Sequence, residues 1–430
     1  MKNIKSRLII MNFLQFAVWG SYLTSMGGYL FAAGYGDLVG WFYAMQGIVS
    51  IFMPAIMGII ADKFIPAQRL LGLCHGMAAL FIAGAGYCGM NGMLWPMFAF
   101  YSISVAFYMP TLALSNSVAY TVLEQGGYDT VKTFPPIRVF GTVGFIVAML
   151  FCDFAGFQSS PVQFFQCAAI GVVLAIYAQM LPNCPVNRSS EAKSFAQRLG
   201  LDAFKLFKNR QMALFFIFSM LLGVSLQITN GFANGFITSF RNIPEFANTF
   251  GANHANALIS LSQVSETLCI LLIPFCLKRF GIKNVMLIAM FAWVLRFGLF
   301  GLGNPGSGLW MFILSMIVYG VAFDFFNISG SLYVNENTSG EMRSSAQGLF
   351  MIMTNGLGAT IGTLGAQSVV NRFVPAEVKV GDVVTNGISV AEGWSATWLL
   401  FAGYALVVAL LFMVLFRYKH DRNKQMDINH

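Results

Sequence analysis

Twelve long apolar runs, each about long enough to cross a bilayer, constrain this chain more than any other feature. They lie at approximately 8–32, 38–60, 70–90, 94–121, 137–157, 163–182, 211–240, 255–277, 284–302, 308–334, 345–370 and 394–416. Hydrocarbon offers no partner for backbone N–H and C=O groups, so runs of this length must satisfy them internally, as helices. Hydrophobic residues make up 57% of the 430 and charged residues only 10%. A soluble chain averages about 25% charged residues. This chain cannot cover a water-facing surface, which excludes a soluble enzyme, and its apolar density excludes disorder. The fold class expected is an all-α integral membrane protein with twelve transmembrane helices.

The runs fall into two sets of six around a basic stretch that carries Arg188, Lys193, Arg198, Lys205, Lys208 and Arg210. The domains predicted are a six-helix half over 1–182, a cytoplasmic linker over 183–210, and a second half with a short tail over 211–430. With the N-terminus inside, the inward segments hold 20 Lys and Arg and the outward segments only Arg241, Arg372 and Lys379. That asymmetry predicts two cytoplasmic termini. The net charge of +8 therefore belongs to membrane topology and not to a nucleic-acid partner. Short basic loops follow the second and eighth runs, each after a span with a proline (Pro54, Pro274), as two related halves would place them. The first run follows Lys2, Lys5 and Arg7 but exceeds the 7–15 residues of a signal core, so it is expected to be retained.

Several chemistries lack their residues. There is no GxxxxGK[ST], no HExxH and no GxSxG, and the histidines (His75, His254, His420, His430) form no zinc motif. Seven cysteines without a CxxC, most within apolar runs, are expected to be packing residues and not disulfides. The glycine-rich 355–362 stretch lies inside a span. There Gly358xxxGly362 is expected to allow close helix packing and not to hold phosphate.

Ionisable groups inside spans cost about 2.5–3.5 kcal/mol each at the bilayer centre, so they are rare and usually functional. Glu266 sits in the middle of the eighth run and Asp324 in the middle of the tenth. Arg296 is deep in the ninth, and Arg138 follows Pro135 and Pro136 at the start of the fifth. The bland alternative is a set of buried ion pairs joining helices, a reading that fits Arg296 best. An acid held between desolvation and a nearby cation can load and release a proton, as a proton-driven carrier requires.

Spacings of three, four and seven put other polar and aromatic groups on shared helical faces. Arg138, Thr142 and Phe145 share one in the fifth span, Gln227 and Asn230 in the seventh, and Gln263 and Glu266 in the eighth. Tyr319 and Phe323 share one in the tenth, with Asp324 adjacent. Amides donate and accept, and rings offer a flat face. Most of the 43 Phe are core or lipid-facing, and buried amides often serve only to join helices. These residues by themselves indicate a proton-coupled carrier of a small polar solute and leave the solute open. Pro110 in the fourth span, and Gly223, Gly231 and Gly235 in the seventh, are expected to interrupt their helices and permit motion.

At these positions the chain resembles the nucleoside:proton symporters of the major facilitator superfamily. The likeness is carried by Phe134–Phe145, Phe215–Gly223, Leu226–Asn230, Ser262–Leu268, Tyr319–Gly330 and Ser345–Gly348, and by Phe13–Phe16 with Trp19 and Gly20. The resemblance implies a twelve-helix carrier in two halves that takes up nucleosides with a proton by alternating access. It implies substrate contacts at Arg138, Thr142, Phe145, Gln227, Asn230, Gln263, Glu266, Tyr319 and Phe323. Proton coupling falls to Asp324 with Glu266. No metal and no cofactor is expected, the proton gradient being the driving force. A monomer in the lipid bilayer of a bacterial inner membrane is the expected setting. The loop after the second run, at Phe64–Gln68, lacks the superfamily's usual glycine and most of its basic cluster. The alternatives are a sugar or metabolite carrier, a membrane-embedded enzyme, and a nutrient receptor. An enzyme would need a nucleophile or metal cluster that is not visible. A receptor would usually carry a large cytoplasmic appendage, whereas 14 residues follow Phe416.

Overall fold

The computed structural model describes residues 3–186, 201–380 and 383–418. Arg188, Lys193 and Arg198 of the expected linker and Lys419, Arg422 and Lys424 of the tail lie outside the described residues. Among the described residues, ten helices are long and apolar enough to cross a membrane. The two apolar runs that do not appear among them, the first and the eighth, are helical but broken. The first divides into Ile4–Gly20 and Met26–Ala32. The eighth is Ala255–Ile270, and helix resumes at Ile273 just before Pro274. Helix then continues from the eighth run into the ninth, with a turn only at Gly281, whose φ of 76° is open to glycine at no cost.

The prolines and glycines expected to interrupt helices do not. The fourth span, Leu94–Gln125, runs unbroken through Pro110. The fifth, Thr130–Phe154, begins before Pro135 and Pro136 and passes through both. Helices in membranes tolerate proline where neighbours and local adjustment satisfy the freed carbonyls. The seventh, Arg210–Ser239, is continuous past Gly223, Gly231 and Gly235. It starts where Asn209 caps it, accepting from the backbone N–H of Gln211 at 2.9 Å and of Met212 at 3.3 Å.

The chain divides into two compact units, Met1–Tyr35 with Met45–Leu199, and Gly36–Ala44 with Gly200–His430. In the first unit the first span packs on the fifth, and the third (Ala67–Met90) on the fourth and sixth (Val162–Gln179). A side chain at Gly20 would strike the Phe145 carbonyl, and one at Gly144 the Phe13 carbonyl, so these helices touch backbone to backbone. A buried polar cluster joins three spans. Gln15 Nε2 donates to Thr111 Oγ1 at 2.7 Å, Gln15 Oε1 pairs with His75 Nε2 at 2.7 Å, and the Tyr108 hydroxyl donates to the Gln15 carbonyl at 3.0 Å.

In the second unit the seventh span packs on the eleventh, and the tenth (Leu309–Asn337) on the eighth and ninth. The eleventh comprises Gly340–Met351, a π-helical segment Ile352–Gly358, and Ala359–Phe373. Gly358 and Gly362 do allow close packing. Side chains there would meet the carbonyls of Met220 and Val224, and one at Gly223 would meet that of Thr354. The described part of the 372–392 loop contains a two-residue ribbon, Lys379–Val380 against Val383–Val384, before the twelfth span, Gly387–Leu415. The seven cysteines are free, and six are buried.

Gly362→Ala is expected to lower stability by about 1–3 kcal/mol through overpacking. Gly365→Ala on the same helix, where nothing lies within 4 Å, is expected to leave it unchanged or raised. Melting temperatures of the two purified variants in one detergent check this.

Candidate functional site

The fifth span presents Arg138, Thr142 and Phe145 toward the interior of the first unit while Val139, Val143 and Val147 stay exposed. Gly141 and Gly144 lie between them and seat the helix on the first span. Arg138 is half-buried, and its guanidinium carbon stands 3.8 Å from the centroid of the Phe16 ring. Phe145 is buried and meets Trp19 edge to face, centroids 6.4 Å apart. Trp19 also lies 5.9 Å from Tyr108, and its buried Nε1 has no hydrogen-bond partner. Phe16 and Trp19, three apart in an apolar run, offer the sequence no polar signal that would set them apart from other core aromatics.

In the second unit the seventh span holds its two amides together. Asn230 Nδ2 donates to Gln227 Oε1 at 2.5 Å. On the eighth span, Gln263 and Glu266 are half-buried, while Val264 and Leu268 are exposed. Both polar groups thus turn from the face that would meet lipid.

The tenth span reaches the eighth through Gly320. A side chain there would fall on the backbone of Ser265 and Glu266. Ser265 Oγ donates to the Ile317 carbonyl, and Ser262 Oγ lies 3.2 Å from Met316 Sδ. This contact brings Tyr319 and Asp324 within electrostatic reach of Glu266. Tyr319 and Phe323 stack at 5.6 Å with an interplanar angle of 10°. Tyr319 is within electrostatic reach of Glu266, Asp324 and Arg296, and Asp324 of Glu266. Asp324 is only 5% exposed, and among the described residues its buried Oδ2 has no hydrogen-bond partner.

Arg296 does not form the buried ion pair that fitted it best from sequence. Among the described residues no carboxylate bridges to it. Its Nη1 donates to the Ser315 carbonyl at 2.6 Å, and its guanidinium lies over Tyr319 and Phe300. Arg138 over Phe16 in the first unit, the amide pair of the seventh span, and the acids and stacked rings of the eighth and tenth are each suited to a polar, ring-bearing solute.

The sequence pattern of the Nucleoside H+ symporter family matches residues 1–421. The chain belongs to that family. It is 46% identical over 423 residues to the nucleoside permease NupG of Escherichia coli, covering 98% of this chain and 97% of the relative. It is 47% identical over 427 residues to the xanthosine permease of Escherichia coli, covering 98% of each. A crystal structure of a mutant of the nucleoside transporter NupG superposes with a TM-score of 0.90 at 45% identity, over 96% of this chain and all of that one. A POT peptide transporter, at 12% identity and a TM-score of 0.71 over 96% of this chain and 93% of that one, shares the fold. The fold is that of the major facilitator superfamily carriers. This member is a proton-coupled nucleoside transporter and not an enzyme.

Because Gly320 sets the approach of the tenth span to the eighth, Gly320→Ala is expected to push Tyr319 and Asp324 away from Glu266. Labelled uridine uptake per folded carrier should fall about tenfold or more, since a displacement of about 1 Å can remove much of a site's function. Gly403→Ala, which has nothing within 4 Å, should transport as the wild type does.

Proposed function

We propose that the chain imports purine or pyrimidine nucleosides by alternating access across a bacterial inner membrane, with both termini in the cytoplasm and no cofactor beyond the proton gradient. The excess of basic residues in one set of loops supports that orientation. A monomer surrounded by lipid suffices for this mechanism.

Asp324 carries the coupling proton. The observation that supports this most strongly is its buried carboxylate oxygen, which has no hydrogen-bond partner yet lies within electrostatic reach of Glu266. Two acids held together in a low-dielectric site titrate as a unit and form a place for one exchangeable proton. Glu266 accepts hydrogen bonds from ribose or base. Gln227, Asn230 and Gln263 read polar edges by donating and accepting. In the first unit Arg138 and Thr142 donate to the solute. Phe145, Phe323 and Tyr319 supply ring surface for a base to pack on.

Coupling then follows from charge. With Asp324 and Glu266 both ionised, moving the loaded site through a closed, water-free state buries a net negative charge. A proton on the pair removes that cost, so substrate and proton cross together.

Asp324→Asn keeps the shape and loses the exchangeable proton. It is expected to abolish uphill uridine accumulation in energised vesicles while leaving half-saturation in gradient-free counterflow within about threefold of wild type. Undiminished accumulation by the variant, equally sensitive to a protonophore, would remove Asp324 from the coupling role.

A further inference from the structure

Arg296 is the costliest side chain in the second unit that transport, as described above, does not use. It is 2% exposed within the ninth span, six residues before the end of the helix Ile273–Leu302, with Leu295 and Phe297 on either side. A cation at that depth is unfavourable unless it is compensated. Its compensation is unusual: no carboxylate bridges to it among the described residues, and its Nε has no partner. Apart from Phe300 on its own span, its contacts lie on the eighth and tenth spans, which bear the candidate site. Nη1 donates to the Ser315 carbonyl at 2.6 Å, and the Ser315 hydroxyl returns a hydrogen bond to the Arg296 carbonyl at 3.0 Å. The same Nη1 lies 3.5 Å from Ser262 Oγ, next to Gln263. The guanidinium carbon stands 4.6 Å from the Tyr319 ring centroid and 5.2 Å from that of Phe300. Trp293, one turn earlier on the same span, meets Tyr319 edge to face at 6.0 Å.

We propose that Arg296 is a positioning residue for nucleoside binding: its guanidinium holds the Tyr319 ring parallel to Phe323, and its polar contacts fix the eighth and tenth spans that carry Gln263, Glu266 and Asp324. This rests on the binding role assigned above to Tyr319 and Phe323. The physical reason for an arginine is geometric. A planar cation attracts the negative face of a ring, more strongly where water is excluded, and donates in the same plane to a carbonyl. A neutral side chain of similar length keeps the carbonyl contact and loses the attraction to the ring. Tyr319 lies within electrostatic reach of the arginine and of both acids, so its ring links the cation to the acidic pair. Arg296 touches no substrate in this scheme and acts through Tyr319.

A double-mutant cycle read by counterflow tests the inference. Labelled uridine enters vesicles preloaded with unlabelled uridine, and no proton gradient is applied, so the coupling role of Asp324 does not enter. R296Q is expected to raise the half-saturation concentration about tenfold, the size of a desolvated cation–π contact. The maximal rate per folded carrier should stay within about twofold, because positioning acts here on binding. R296K, which keeps the charge but not the plane, should show a smaller rise. Tyr319→Leu should raise half-saturation by itself, and R296Q added to it should change the value by less than about twofold, since coupled residues are non-additive.

An unchanged half-saturation in R296Q overturns the inference. So does a rise that persists in full in the Tyr319→Leu background, or an R296K as damaging as R296Q. If R296Q does not fold, the same cycle run with R296K decides: a rise that vanishes with Tyr319→Leu supports the role, and a persistent rise or none refutes it. Silence of Tyr319→Leu alone would overturn the binding role of Tyr319, and the inference with it. An effective Tyr319→Leu beside a silent R296Q overturns the role of Arg296 only.

Discussion

Hydrocarbon offers no hydrogen bonds, and the rest of this structure follows from that. Every apolar run becomes helix because only helix satisfies its own backbone. Even the interruptions obey the rule. The first span breaks for the few residues between Gly20 and Met26, where Ser21 N–H still reaches the Ala17 carbonyl at 3.1 Å. In the eleventh, the helix changes pitch over Ile352–Gly358 without giving up its internal pairing.

The same solvent removes the hydrophobic drive between helices, so contact depends on close packing and on a few polar bridges. Glycines supply the closest contacts: Gly20 and Gly144 between the first and fifth spans, Gly223, Gly358 and Gly362 between the seventh and eleventh, and Gly320 between the tenth and eighth. The last of these sets the chemistry. By removing one Cβ it lets Tyr319 and Asp324 come within electrostatic reach of Glu266. In the first unit the Gln15, His75, Tyr108 and Thr111 cluster does comparable work with hydrogen bonds. Its members bond to one another where water cannot reach, although among the described residues His75 Nδ1 is left without a partner.

Charge is the second consequence. The cluster in the second unit gathers two acids and one arginine in a place where each alone would be unfavourable. They are not joined as a simple ion pair. Tyr319 lies within reach of all three, and the arginine is held by a carbonyl and two rings. Such an arrangement leaves an acid oxygen unsatisfied among the described residues, as on Asp324, and the proposed proton role rests on that oxygen.

Much was legible in the sequence by itself. Run length and composition determined helices in a membrane, and the acids within runs were visible because nothing apolar explains them. The faces shared by Arg138 with Phe145, or by Gln263 with Glu266, followed from helical period. That period acts only within one helix, which is why the tertiary structure had to decide the rest. Pro110 and Pro135 do not break their helices, because neighbouring helices and local adjustment can meet the cost. Phe16 lies under Arg138, and Arg296 lies on Tyr319 and Ser315 instead of a carboxylate, because those partners come from other spans. Which faces meet depends on where a missing Cβ lets two backbones touch, and that is a property of pairs of helices that no single run encodes.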